Sequence, residues 1–196
     1  MGDPVTFTPE FTKEIYDDQH TEKFGPFWGR SKMYYFDKLF QGDEPITDYI
    51  DNSISTILDY GCGESPALDN IVTALPDLTL TTTKYDPNIE GIDTLPETTF
   101  DLVISRMLIL LHFFRDNEEE GLEFLDNLRS LSNGKVFLGF MTPDLTSTIT
   151  QYALFEINRR FIIEKKEVNL IEDKPKHLVG KYYIAMWLQK RKYVYQ

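Results

Sequence analysis

Cysteine is nearly missing from this chain: one thiol, Cys62, stands in 196 residues. That excludes an intramolecular disulfide framework and a multi-cysteine zinc site, and it suits a reducing compartment. Long apolar runs are missing too. No uninterrupted stretch approaches the roughly 20 residues a membrane helix needs, and Met1–Lys13 has no positively charged start followed by an apolar segment. The chain is therefore expected to be cytoplasmic, with no membrane partner. Basic residues are the minority, 20 against 32 acidic ones, for a formal charge of −12. The averaged field repels phosphate backbones and anionic surfaces, so nucleic acid is not an expected partner without a local basic patch. Lys165–Lys166, Lys174–Lys181 and Lys190–Arg191–Lys192 are the nearest candidates. In an edge hairpin the same residues serve equally to solvate or blunt an exposed strand.

What is present suffices for one substantial core: 41% of residues are apolar and 14% aromatic, in a length short for two independent domains. A single domain over residues 1–196 is expected, with an arm at 1–45 and a core at 46–196. Residues 1–15 are polar, with Pro4 and Pro9. Residues 16–45 crowd aromatic side chains around Gly25, Pro26 and Gly29, and Ser31–Gln41 reads as a helix. Such an arm either covers the core or forms a lid over a substrate.

Beyond the arm, strand and helix signals alternate. Ser55–Tyr60 is β-branched and apolar and runs into Gly61-Cys-Gly-Glu-Ser65, then into a helix-like run over Ala67–Leu75. Leu78–Tyr85 is a threonine-rich strand ending at the turn Asp86-Pro87-Asn88. Phe100–Ser105 is apolar enough for a parallel strand buried on both faces. Asp116–Leu131 reads as a helix stopped by Asn133-Gly134, Lys135–Met141 as a strand, and Thr146–Ile163 as a helix. Glu167–Ile171 and Lys181–Leu188 read as an antiparallel pair. This order predicts an α/β doubly wound, mostly parallel sheet with an antiparallel C-terminal edge hairpin.

The chemistry-bearing unit is Asp59-x-Gly61-x-Gly63-x-Ser65 at a strand-to-helix junction. Glycines there permit a tight turn and let a ligand approach the main chain, and a helix start offers unpaired N–H groups. Asp86 closes the next strand, where doubly wound folds place a carboxylate that accepts ribose hydroxyls. The same residue could equally be a helix cap or an Asx-turn before Pro87.

LDYGCGES, then KYDP, then TFDLVISRMLILLHF together resemble the first three signatures of class I S-adenosylmethionine-dependent methyltransferases, more closely the compact phage-type ones. The resemblance covers roughly residues 16–141 and implies a Rossmann-like fold. It also implies that Asp59, Gly61 and Gly63 hold the methionyl end of S-adenosyl-L-methionine and that Asp86 holds its ribose. Ser105 and Arg106 would pass beside the sulfonium, and His112 falls where the family carries a histidine. Two departures stand out. Ser65 replaces a third glycine, and Arg106 to His112 lacks the acidic residue usual in that stretch. The short segment from Asp86 to Phe100 cannot hold a helix and another strand, so one helix–strand unit is expected to be missing after the second strand. The loop Ile89–Pro96 must then meet the adenine, with Asp93 either accepting its exocyclic amine or remaining a solvated carboxylate.

Methyl transfer needs a general base only when the acceptor keeps its proton at neutral pH. His20 and His112 are the candidate bases, or else packed core histidines. Arg30 could pair with the cofactor's carboxylate, or stand as a solvated charge. Cys62, inside the glycine turn, reads as a small filler. No metal site is indicated. No Asn/Asp-Pro-Pro-Tyr/Phe sequence follows Phe100–Ser105, which argues against amino-methylation of DNA bases. The expected acceptor is a small polar molecule methylated on oxygen or nitrogen. A non-catalytic methyltransferase-like cofactor-binding module is the alternative, and a nicotinamide-dependent dehydrogenase is a weaker one, since no catalytic domain accompanies the turn. Oligomeric state has no sequence signal.

Overall fold

A β-branched apolar run makes the first strand, and its burial shows why: in β1 (Thr56–Tyr60) every residue from Ile57 to Tyr60 is buried. The computed structural model describes residues 46–63, 67–106, 110–170 and 182–193. It divides into two compact units, Met1–Pro96 and Glu97–Gln196. The arm at 1–45, including the helix expected at Ser31–Gln41, together with Ser65 and the Lys174–Lys181 segment, lies outside the described residues.

In the first unit a 3-10 turn, Ile46–Tyr49, precedes β1. Helix α1 (Ala67–Ala74) buries Ala67, Leu68 and Ile71. Strand β2 (Thr81–Tyr85) pairs with β1 in parallel, from Thr56 opposite Thr81 to Tyr60 opposite Tyr85. Strand β2 begins three residues later than the threonine run suggests. The amide of Leu78 donates to the Leu75 carbonyl at 3.1 Å, so that stretch is spent closing the turn after α1. No helix or strand lies between Tyr85 and Phe100, in keeping with the missing unit expected from the spacing.

In the second unit β3 (Phe100–Ser105) and β4 (Ser132–Thr142) are parallel. Strand β6 (Tyr182–Lys190) is antiparallel to β4, and β5 (Phe161–Leu170) is antiparallel to β6, giving the order β3-β4-β6-β5. The fold is thus Rossmann-like α/β, mostly parallel, with the antiparallel C-terminal hairpin at its edge.

Further differences from the sequence reading have local reasons. Helix α2 (Leu110–Asp116) was not expected. Its apolar run buries Leu110, Leu111 and Phe114, and a break at Asn117, extended at φ −151°, separates it from α3 (Glu118–Leu131). Asn133-Gly134, read as a stop, lies inside β4. Phe100 pairs with Ser132 and Leu102 with Lys135, so the surplus residue of β4 is absorbed as a bulge, and the Ser132 hydroxyl accepts from the Gly134 amide at 3.0 Å. Helix α4 (Thr148–Arg160) ends before Phe161 rather than at Ile163, because β-branched Ile162 and Ile163 join the ladder opposite Gln189 and Leu188.

Candidate functional site

The first unit builds a cradle where β1 and β2 end. Beyond Tyr60 the chain reverses: the amides of Gly61 and Cys62 both donate to the Tyr85 carbonyl, at 2.8 and 3.1 Å, tying the turn to the end of β2. Gly61 and Gly63 adopt φ of +69° and +56°, the left-handed region that a side chain disfavours, which is the conformational reason for glycine at both positions. The Gly63 amide then donates to Oδ2 of Asp86 at 2.9 Å. Asp86 is buried, and its Oδ1 accepts from the Asn88 amide at 3.1 Å, which is the Asx-turn that Pro87 suggested. The Asp86 amide in turn donates to the Ile92 carbonyl at 3.0 Å, closing the loop 86–92 into a ring.

Asp59 is buried at the end of β1; it has other polar interactions, and its Oδ1 receives no hydrogen bond from a described residue. Cys62 is fully buried, as a small filler would be. Asp93 is exposed. The structure thus brings Gly61, Gly63 and Asp86 into one hydrogen-bonded cradle at the end of the strand that carries Asp59, while Asp93 is exposed in the loop that follows Ile92.

In the second unit Ser105 and Arg106 are buried at the carboxyl end of β3. The backbone of His112 lies in α2. His20 and Arg30 lie outside the described residues, as does the side chain of His112. The Thr142–Thr150 connection is a knot of hydroxyls: Thr142 and Thr150 share a hydrogen bond at 2.7 Å, and Thr150 donates to the Asp144 carbonyl at 2.9 Å. The Thr146 amide, donating to Asp144, holds that carboxyl below its ordinary range. No group of three or more potential metal ligands occurs among the described residues, and no described helix is long and apolar enough to cross a membrane.

Sequence reasoning missed Tyr183. It is buried on β6, and its ring lies over Gly139 of β4 so closely that a Cβ at 139 would overlap the phenol. An isolated glycine inside a strand is the signal that could have revealed it.

No family model matches the chain, and no curated protein does. Solved structures do. Magnesium protoporphyrin IX methyltransferase from Synechocystis PCC 6803 with bound SAM superposes with a TM-score of 0.65, at 10% identity over 97% of this chain and 100% of that one. The mitomycin 7-O-methyltransferase MmcR superposes with a TM-score of 0.54, at 10% identity over 91% of this chain and 60% of that one. The chain has a methyltransferase fold. At these identities the likeness extends to the fold alone, and the roles of particular residues rest on the geometry above.

Proposed function

We propose that this chain binds S-adenosyl-L-methionine in the cradle of its first unit and transfers the methyl group to oxygen or nitrogen of a small polar acceptor. The observation that carries the reading is the hydrogen bond from the Gly63 amide to the buried Asp86 carboxylate, which joins two signatures 23 residues apart into one recess. The residues suit the cofactor. Asp86 Oδ1 accepts from the amide and, at 3.5 Å, the side chain of Asn88, whereas Oδ2 accepts only from the Gly63 amide, so Oδ2 keeps a lone pair for a ribose hydroxyl. Asp59 presents a buried acceptor for the methionyl ammonium. The left-handed turn at Gly61 and Gly63 keeps Cβ atoms out of the ligand's path. Exposed Asp93 is assigned to the adenine amine, and Ser105 to the cofactor as well.

When bound, the cofactor supplies an activated methyl group on a sulfonium, so the protein's task is alignment and exclusion of water. For an acceptor that holds its proton at neutral pH, His20 or His112 is assigned the base. The bound adenosylmethionine of the Synechocystis enzyme supports the cofactor assignment.

The test is transfer of a labelled methyl group from S-adenosylmethionine to pooled hydroxyl and amine acceptors, run beside a titration with S-adenosylhomocysteine. Binding with turnover is the expected outcome. Binding without turnover on any acceptor favours a non-catalytic cofactor-binding module, a reading that the lack of an acidic residue in the stretch Arg106 to His112 also motivates. Absence of binding contradicts both.

A further inference from the structure

We propose that the second unit carries a docking surface for single-stranded nucleic acid at the amino end of β4, where Arg129, Lys190 and Lys192 hold phosphates and Tyr193 stacks on a base. The inference goes beyond the proposed methyl transfer and does not depend on it.

The fold gathers these residues from separate elements. Arg129 stands in the last turn of α3, Lys190 ends β6, and residues 191–193 follow it. Because β6 runs antiparallel to β4, its end comes beside the start of β4, and the Lys190 ammonium donates to the Ser132 carbonyl at 2.8 Å. The Arg129 guanidinium donates from Nη2 to the Arg191 carbonyl at 3.1 Å. Arg191 pins the segment in turn: its amide donates to the Arg160 carbonyl at 3.1 Å, and its Nε to the carbonyls of Asn158 and Phe161 at 2.9 and 3.0 Å. The next two residues are thereby presented at the surface, Lys192 exposed and Tyr193 81% exposed.

The printed partners of Arg129 and Lys190 are carbonyl oxygens, which leave the charge in place. Among the described residues none of Arg129, Lys190 and Lys192 makes an ion pair. Asp126, three residues before Arg129 on the same helix, turns both oxygens to Arg160, at 2.7 and 3.2 Å, and Asp101 in β3 accepts from the Asn133 side chain at 3.4 Å. Burial and the Arg129 charge push the Lys190 pKa down, as in a cation whose neighbours supply no countercharge. Capping α3 asks for one cation near its carboxyl end, which Lys190 supplies at the C-cap residue Ser132, and leaves Arg129 and Lys192 over.

An anion is what this cluster lacks, and the exposed ring selects among anions. Every nucleic-acid base has a face that stacks on a phenol, whereas a sulfate or a lipid headgroup offers none. Ligands of open α/β sheets sit beyond the carboxyl ends of the strands, so a surface at the amino end of β4 serves to tether a strand rather than to react with it.

Fluorescence anisotropy of a labelled oligothymidylate, read over a range of salt, tests the surface on the intact chain and on its Lys190→Gln, Lys192→Gln and Tyr193→Ala variants. Saturable binding at low salt is expected, with a slope of log affinity against log salt of about −2, which three phosphate contacts give on a single strand. Each lysine substitution should flatten that slope by about 0.7. Tyr193→Ala should weaken binding about tenfold and leave the slope unchanged, a separation that charge alone does not produce. A parent that binds no oligothymidylate at low salt overturns the proposal, as does a Lys192→Gln or Tyr193→Ala variant that binds like the parent. Heparin and phosphatidylglycerol vesicles are the remaining probes: a parent that binds either as tightly as oligothymidylate has a general cationic surface, and the proposal falls. If Lys190→Gln does not fold, Lys192→Gln and Tyr193→Ala decide, because among the described residues neither exposed side chain has a hydrogen bond to lose.

Discussion

At the scale of single residues, Asp86 does two jobs that pull a mutational test in different directions. It caps the glycine turn through Gly63 and its own loop through Asn88, and it is assigned the cofactor's ribose. Asp86→Ala should lower stability by about 1–3 kcal/mol, the cost of leaving a buried amide unsatisfied, and should weaken S-adenosylhomocysteine binding by about 1.5–3 kcal/mol. Chemical denaturation reads the first effect and titration the second. If stability falls while affinity is unchanged, Asp86 is a turn residue only. Gly139 offers a separate test. Gly139→Ala must displace the buried Tyr183 ring, an overpacking of about 1–3 kcal/mol, and Gly139→Ala combined with Tyr183→Phe should recover part of it, because the phenol oxygen is the nearest atom to the new methyl. A single variant as stable as the parent would place Tyr183 elsewhere.

At the scale of elements, α4 is tied to α3 by an ion network as well as by the Tyr152–Glu118 hydrogen bond. Arg160 reaches Asp126 with Nε at 2.7 Å and Glu156 with Nη1 at 2.5 Å, and Arg159 adds a second cation on Glu156. Burial alone would lower the Arg160 pKa, and the hydrogen bonds to Asp126 and Glu156 outweigh it and raise it. Arg160→Met should destabilise by about 3 kcal/mol, because buried Glu156 loses its nearest countercharge. Asp126→Asn should cost under about 1 kcal/mol, as that carboxylate is mostly exposed. Equal effects from the two would contradict this division.

The Asp126–Arg160 link of this network could not be read from the sequence, since the two residues stand 34 apart in the chain, and the burial of the local Glu156–Arg160 pair could not, since charged residues ordinarily face water. Elements with a strong local pattern were legible. Phe100–Ser105 is a strand to the residue, and the glycine turn sits where its spacing put it. The misreadings fell where two local signals competed. Asn133-Gly134 is a turn signature that the β4 ladder absorbed as a bulge, and Ile162-Ile163 continues an apolar helix pattern while its branched side chains favour the hairpin. In the candidate site, the Asp59, Gly61, Gly63 and Asp86 set was legible because glycine geometry demands particular residues. Tyr183 was not, because nothing in a strand's own sequence says which neighbour will lean over its glycine.

At the scale of the whole molecule, two tyrosines set an alkaline limit on stability. Hydrogen bonding to Glu118 pushes the Tyr152 hydroxyl up to about 12, and burial raises Tyr183 further. Raised folded-state values stabilise the protonated forms. Their contribution is complete below about 10, the unfolded value, and is lost as pH rises through the folded values. Denaturation midpoints should therefore fall above about pH 10. Tyrosinate absorbance should show these two groups ionising later than the rest, and Tyr183→Phe should remove one late group. Ionisation of every tyrosine near pH 10 with the fold intact would contradict the burial of Tyr183.

The central claim is that the first unit's glycine turn and Asp86 form a cradle for S-adenosylmethionine, and calorimetric titration of the intact chain with S-adenosylhomocysteine tests it most directly, with Gly63→Val as the control. Saturable binding with one site per chain is expected for the parent. In Gly63→Val, where a branched side chain must take a left-handed backbone at φ +56° and stand in the ligand's path, binding should be lost while the far-ultraviolet spectrum is retained. A parent that binds nothing, or a folded Gly63→Val that binds as the parent does, would contradict the account.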